Sequence, residues 1–106
     1  MNTNRATTPS RLSIVIPVYN EQDSLEPLAD AIEAAVATLD ADAEIIFVND
    51  GSTDDSWNRI RSLVEERDIT ITGIRFRRNF GKAAALSAGF HAATGDIVFT
   101  MDADAQ

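Results

Sequence analysis

Apolar positions along the chain switch between two spacings, and the switching predicts the architecture. Four short apolar runs, Leu12 to Val18, Ala43 to Asn49, Ile69 to Phe76 and Asp96 to Met101, read as strands. Between the first two, Leu25, Leu28, Ile32, Val36 and Leu39 recur every three or four residues, and Trp57, Ile60, Leu63 and Val64 follow the second run in the same way. Each set marks a helix with one apolar face. A third helix, about Gly81 to Ala93, is rich in alanine with Leu86 and Phe90, which predicts close packing on a sheet; Gly95 is its expected stop. Pro27 fits only near a helix start, so Ser24 is the expected N-cap of the first helix. Ser52 and Asp55 resemble a capping box for the second. Strand and helix alternate with connections of a few residues, the pattern of repeated βαβ units, so the expected fold is α/β with a parallel sheet and helices on its faces. Met1 to Arg11 has no periodicity and is expected to be a flexible leader.

Composition narrows the functions available. The 106 residues carry 17 acidic against 9 basic side chains, a formal charge of −8, with 44% hydrophobic and 25% charged residues. That is one globular domain whose field repels phosphate backbones and anionic membranes, so a nucleic-acid partner is excluded. The chain has no cysteine, which removes disulfides, thiolate metal sites and cysteine nucleophiles. His91, the one histidine, falls mid-helix, where a structural role is expected and no histidine triad can form. No apolar run approaches the roughly 20 residues needed to span a bilayer.

In an open parallel sheet, ligands bind beyond the carboxyl ends of the strands. Polar clusters stand there after each strand: Tyr19-Asn20-Glu21, Asp50-Gly51-Ser52-Thr53-Asp54, Arg77-Arg78-Asn79-Phe80-Gly81-Lys82 and Asp102-Ala103-Asp104-Ala105-Gln106. With eleven aspartates, an Asp-x-Asp pair arises by chance about once in such a chain, and Asp40-Ala41-Asp42 is a second copy. Position separates the two, because Asp40 and Asp42 lie in a helix-to-strand connection and read as solvated loop. Asp102 and Asp104 follow an apolar strand on the ligand side, where carboxylates suit Mg²⁺ or Mn²⁺ holding a diphosphate. Asp50 reads equally as turn chemistry or as an acceptor for a nucleobase or ribose hydroxyl. Tyr19 could stack on a base or cover the sheet edge, and Glu21 could complement a helix dipole. Arg75, Arg77, Arg78 and Lys82 put four of the nine basic residues within eight positions that hold no acid. This local reversal of charge is where a phosphate could be held.

Together the clusters resemble the N-terminal half of family-2 glycosyltransferases of the GT-A fold, especially the polyprenyl-phosphate branch that includes dolichyl-phosphate mannosyl- and glucosyl-transferases. The matching words are Val15-Ile16-Pro17-Val18-Tyr19-Asn20-Glu21, Phe47-Val48-Asn49-Asp50-Gly51-Ser52-Thr53-Asp54, Arg78-Asn79-Phe80-Gly81-Lys82 and Met101-Asp102-Ala103-Asp104-Ala105-Gln106. Asn49 stands where the family commonly has the first Asp of Asp-Asp-Gly-Ser. The resemblance implies a Rossmann-like three-layer sandwich with sheet order 3-2-1-4, and a UDP- or GDP-linked nucleotide-sugar as donor. It implies that Pro17, Tyr19 and Glu21 line the nucleoside and that Val48 and Asp50 meet the base. Asp102, Ala103 and Asp104 would contact ribose and diphosphate, with Asp102 and Asp104 as the catalytic pair. Arg78 and Lys82 would serve the substrate, and Asp104 and Gln106 would ligate Mg²⁺ or Mn²⁺.

The family's activity is inverting transfer of a sugar to an acceptor, here a lipid phosphate in cell-envelope glycan synthesis. It takes place in the cytoplasm at the membrane face. Residues 12–106 are then expected to be the donor-binding half of a larger catalytic domain, cut at the Asp-x-Asp motif and lacking sustained activity alone. A reading of another class is a non-catalytic module that binds nucleotide or self-associates, with a homo-oligomer formed through the apolar fourth strand. A dinucleotide-binding domain is excluded by the absence of Gly-x-Gly-x-x-Gly after the first strand.

Overall fold

The computed structural model describes residues 11–39 and 41–104. Four strands, β1 (Arg11–Val18), β2 (Asp42–Asn49), β3 (Thr70–Arg75) and β4 (Ile97–Thr100), alternate with three helices, α1 (Leu25–Val36), α2 (Ser56–Glu66) and α3 (Lys82–Ala92). All strand pairs are parallel and the order is β3-β2-β1-β4, as the family resemblance implies. Because side chains alternate across a strand, β1 and β2 feed two cores at once. Ile14, Ile16, Val18, Ile45 and Phe47 pack with Leu25, Ala29 and Ile32 of α1 and with Ile60 and Leu63 of α2. Val15, Ile46 and Val48 pack on the other face with Ala85 of α3. The alanine-rich sequence of α3 lets it sit close to the sheet: a Cβ at Gly89 would come within 2.3 Å of Val15 Cγ1.

The elements match the periodicity, and the differences lie at their ends. Residues 1–10 of the expected leader lie outside those described, but Arg11 is the first residue of β1. Its guanidinium pairs with Asp42 and Glu44, and its Nε donates to Thr94 Oγ1 at 2.9 Å. Asp42 of the second Asp-x-Asp copy opens β2 with its carboxylate more than half exposed, far from the strand carboxyl ends; Asp40 lies outside the described residues. Leu39 falls beyond α1 and is exposed. Ser24 and Asp55 occupy the N-cap positions of α1 and α2, yet neither side chain makes a capping bond. The expected capping box does not form, because Ser52 Oγ accepts instead from the Asn20 N–H at 2.9 Å. Gly95 does not stop α3, which ends at Ala93 in extended backbone. The Gly95 N–H donates to Ser13 Oγ at 2.8 Å, carrying the chain into β4.

One buried acid braces the amino ends of the strands. Glu44 accepts from Ser13 Oγ at 2.6 Å, from the Thr94 N–H at 2.8 Å and from Thr94 Oγ1 at 3.0 Å. Burial alone would push its carboxyl up, but those hydrogen bonds and Arg11 together hold it below the usual carboxylate range. Its contribution to stability is therefore present above the unfolded value near 4.5 and is lost as pH falls through the lower folded value. In urea unfolding the parent should lose stability below about pH 4.5. Glu44→Gln should be weaker at pH 7 by about 1–3 kcal/mol and lose less over the same acid interval. Equal acid sensitivity of the two proteins would assign the loss to other groups.

Candidate functional site

A cleft of about 350 Å³ opens at the carboxyl ends of β1, β2 and β4. Pro17, Tyr19 and Glu21 line it from the end of β1 and the segment after it, and Asp50 lies beneath them after β2. Asn79, Gly81 and Lys82 come from the start of α3, and Asp102, Ala103 and Asp104 follow β4. Eight residues anticipated from sequence are thus brought together. Val48, by contrast, is fully buried in the α3-side core. Arg78 is absent from the cleft lining and stacks its guanidinium over the Phe80 ring, 4.7 Å from the centroid. Gln106 lies outside the described residues.

Asp50 is the anchor of the cleft. It is 4% exposed, and its carboxylate accepts from the Phe80 N–H at 2.7 Å, the Gly81 N–H at 3.0 Å and Asn79 Nδ2 at 3.1 Å. Asn79 Nδ2 also reaches the Asp50 carbonyl oxygen at 3.3 Å. Gly51 makes this approach possible, since it has φ +71° and a Cβ there would fall 2.2 Å from the backbone carbonyl carbon of Arg78. The turn residues of the motif therefore hold the loop that starts α3. Lys82, the first residue of α3, is delivered to the cleft by that loop, and its Nζ meets Asp102 Oδ1 at 2.6 Å. Asp102, reinforced by Asp104, keeps the Lys82 ammonium above the usual lysine range.

A second brace joins the loops after β1 and β2. Asn20 adopts φ 54°, a left-handed conformation that asparagine tolerates better than most side chains. Its Oδ1 accepts from the N–H groups of Thr53 at 2.8 Å and Asp54 at 3.2 Å. The Glu21 N–H donates to Ser56 Oγ at 3.0 Å, and Gln22 Oε1 accepts from the Asp55 N–H at 2.8 Å. Burial would push the Asp54 carboxyl up, but hydrogen bonds from Ser56 and the Gln22 N–H hold it below the ordinary range. Tyr19 and Glu21 are thus presented by a fixed loop. Sequence reasoning assigned no role to Asn20 or Asn79; the signal available was their place inside the motifs, beside residues that line the cleft.

The electrostatics limit what can enter. Among the described residues that line the cleft, Glu21, Asp50, Asp102 and Asp104 face one cation, Lys82, so a diphosphate requires added positive charge. Among the described residues, no group of three or more His, Cys, Asp or Glu side chains converges into a closed cage. The set fits Mg²⁺ or Mn²⁺, which commonly takes one or two carboxylates and completes its shell with water and phosphate oxygens.

The sequence itself places this arrangement. The model of the family described as "Glycosyl transferase family 2" matches residues 13–106. The chain belongs to this family. As a family-2 chain it is similar to an undecaprenyl-phosphate 4-deoxy-4-formamido-L-arabinose transferase from Klebsiella pneumoniae, with 44% identity over 96 residues, covering 91% of the chain and 29% of that relative. A protein of the same description from Sodalis glossinidius is 47% identical over 103 residues, covering 94% and 32%. Among solved structures, a mannosyltransferase from Pyrobaculum calidifontis in complex with GDP-Man and Mn²⁺ aligns with TM-score 0.78 and 31% identity, over 93% of this chain and 28% of that one. Mycobacterium tuberculosis glucosyl-3-phosphoglycerate synthase, with Mn²⁺, UDP and phosphoglyceric acid, aligns with TM-score 0.61 and 26% identity, over 90% and 33%. The family-2 chain therefore spans about a third or less of the length of these relatives, and its four-stranded sheet matches the GT-A fold of the solved structures.

Proposed function

We propose that this chain forms the nucleotide-sugar half-site of a metal-dependent, inverting glycosyltransferase whose acceptor is a polyprenyl phosphate. The observation that carries the reading is the cleft, in which residues from three strand ends surround a space with four carboxylates and one lysine. Tyr19, Glu21 and Pro17 would hold the nucleoside, with Asp50 fixing the floor beneath it. Asp102 would bind ribose and Ala103 would contact the diphosphate through its backbone. Asp104 with Gln106 would hold Mg²⁺ or Mn²⁺, and Val48 and Arg78 would act from behind the cleft rather than within it. When bound, the cation supplies neutralisation of the diphosphate as it leaves. In the reaction an acceptor phosphate oxygen forms a bond to the anomeric carbon while the bond to the β-phosphate oxygen breaks. The departing nucleoside diphosphate takes the electron pair, and the configuration inverts. A phosphate acceptor is already ionised near neutral pH, which removes the need for a strong general base and suits a site whose residues are carboxylates and a lysine.

The relatives named for undecaprenyl-phosphate transfer support the acceptor, and those solved with GDP-Man or UDP and Mn²⁺ support the donor and the metal. The setting we propose is the cytoplasmic face of a membrane in cell-envelope glycan synthesis. No described helix is long and apolar enough to cross a bilayer. Calorimetric titration should show UDP or GDP binding only with Mn²⁺ present, and Asp104→Ala should weaken it by about tenfold or more. Binding that ignores both metal and Asp104 would favour a plain nucleotide-binding module.

A second property follows from β4. It lies at the sheet edge, and Ile97, Val98, Phe99 and Met101 are each 40% or more exposed. The opposite edge, β3, carries Thr70, Thr72 and Arg75, whereas β4 has none of the charges or prolines that blunt an edge. We propose that the 106-residue chain self-associates through β4. Light scattering should give a mass that rises with concentration, and Val98→Lys should return it to the monomer value; a monomer at high concentration would overturn this.

A further inference from the structure

Acidic as the chain is overall, its charge is unevenly placed. Residues 69–95, from just before β3 to just beyond α3, contain no aspartate or glutamate and carry Arg75, Arg77, Arg78 and Lys82. That stretch has a formal charge of +4, and the rest of the chain −12. Among the described residues, Arg11, Arg59, Arg67 and Lys82 are each paired with a carboxylate, whereas Arg61, Arg75, Arg77 and Arg78 enter no ion pair. All four are exposed. Two of them lie on aromatic rings, Arg75 5.5 Å from the centroid of Trp57 and Arg78 4.7 Å from that of Phe80, a ring that is 55% exposed. Beside Trp57 a shallow recess of about 230 Å³ between α2 and β3 is lined by Trp57, Ile60, Arg61, Val64, Glu65 and Gly73. With 17 acids available to 9 bases, four exposed arginines that share one edge and lack a carboxylate leave that edge open to an outside anion.

We propose that this edge, from α2 across Trp57 to the loop between β3 and α3, docks on an anionic bilayer surface. The proposal rests on the lipid-phosphate acceptor reading above and names the part of the chain that meets the membrane. The arginines run along an edge instead of converging on one pocket, and neither Arg75 nor Arg78 lines the diphosphate cleft, so the arrangement suits many headgroups better than one bound phosphate. Arginine and tryptophan each join an apolar body to a polar tip, the combination that settles at the headgroup level of a bilayer. The acidic remainder does not cancel the attraction. β3 and β4 are opposite edges of the sheet. Three strand spacings of roughly 4.8 Å put about 14 Å between them, beyond the screening length of roughly 8 Å at physiological ionic strength, so Asp102 and Asp104 act weakly at the β3 edge. Nearer by, Asp55 is paired with Arg59, Asp54 is taken up by the N–H groups of Gln22 and Ser56, and Glu65 sets one negative charge against four arginines. The loop that carries Arg77 and Arg78 leads into Lys82 in the donor cleft, so docking here would bring the rim of the cleft to the surface where a lipid phosphate is presented.

Trp57 is the chain's one tryptophan, so its fluorescence reports on the docking edge itself. The 106-residue chain is titrated with phosphatidylcholine vesicles and with vesicles that also contain phosphatidylglycerol, at low and at physiological salt, and again with lipids brominated near the headgroup. Binding should require phosphatidylglycerol, weaken as salt rises, and bring quenching of Trp57 by the brominated lipid. Because each arginine at an anionic surface strengthens binding about fivefold, Arg75→Ala combined with Arg77→Ala should weaken it by about tenfold or more. The same variant should keep Mn²⁺-dependent nucleoside diphosphate affinity within about twofold of the parent. Ala31→Glu combined with Ala34→Glu makes the same two-unit change in charge at exposed positions of α1 and should leave vesicle binding within about threefold. Thermal unfolding verifies that both variants fold. No binding to phosphatidylglycerol vesicles, an equal loss in the two double variants, or binding without quenching of Trp57 would overturn the proposal. Capture by polyglutamate in place of vesicles would overturn it too, and would mark an acidic protein segment as the partner. None of these results touches the donor-binding reading, which falls only if the parent chain binds no nucleoside diphosphate.

Discussion

The carboxylate of Asp50 is the interaction on which the site depends. It sits at the end of a central strand, buried, and takes the amides of Phe80 and Gly81 and the side-chain amide of Asn79. A buried carboxylate is costly unless its oxygens are hydrogen-bonded, and here the donors come from the one segment that must be held for α3 to begin in the right place. Gly51 completes the constraint by letting the Arg78–Asn79 backbone lie against the turn. Lys82 stands one residue beyond that anchor, so the only cation that lines the cleft among the described residues owes its position to a strand end some thirty residues earlier. Asn20 does the equivalent work between the first two loops. Much of the motif residues' role is therefore to hold one another, which leaves Tyr19, Glu21, Lys82, Asp102 and Asp104 to line the cleft.

The charge pattern follows from the same layout. An acidic chain concentrates four carboxylates around its cleft, and the Lys82–Asp102 pair offsets only part of that charge. The basic cluster that looked from sequence like a phosphate cradle is divided by the fold. Arg75 lies over the Trp57 ring and Arg78 over Phe80, both as cation–π contacts, while Lys82 alone turns into the cleft. Linear proximity could not distinguish these, because residues at the end of a strand and the start of a helix point in different directions.

The fold was legible because the strands are short apolar runs and α1 and α2 each carry one apolar stripe, while α3 was legible from its alanine content. Ile14, Ile16 and Val18 alternate with Val15, and Leu25, Ala29 and Ile32 fall on one helical face, so strand, helix and parallel sheet could be read from the chain. The ends were less legible. Arg11 looked like leader, but its partners Asp42, Glu44 and Thr94 are between 31 and 83 positions away and only the folded sheet brings them together. Ser52 and Asp55 had capping-box spacing, yet the Asn20 N–H competes for Ser52. In the site, eight residues could be anticipated because they belong to the family motifs that close or follow the strands. The burial of Val48 depends on which face of β2 packs on α3, and the roles of Asn20 and Asn79 depend on contacts between loops. None of these is encoded in local spacing.

The Asp50 carboxylate fixes the loop leading into α3, and amide hydrogen exchange reads that constraint directly. The Phe80 and Gly81 N–H groups lie ahead of the helix's own hydrogen-bond ladder, so little besides Asp50 can protect them. Exchange should be slow at both amides in the parent chain and fast in Asp50→Ala, with the central amides of α3 still protected in both proteins. Fast exchange at Phe80 and Gly81 in the parent, or protection that survives the loss of Asp50, would contradict it.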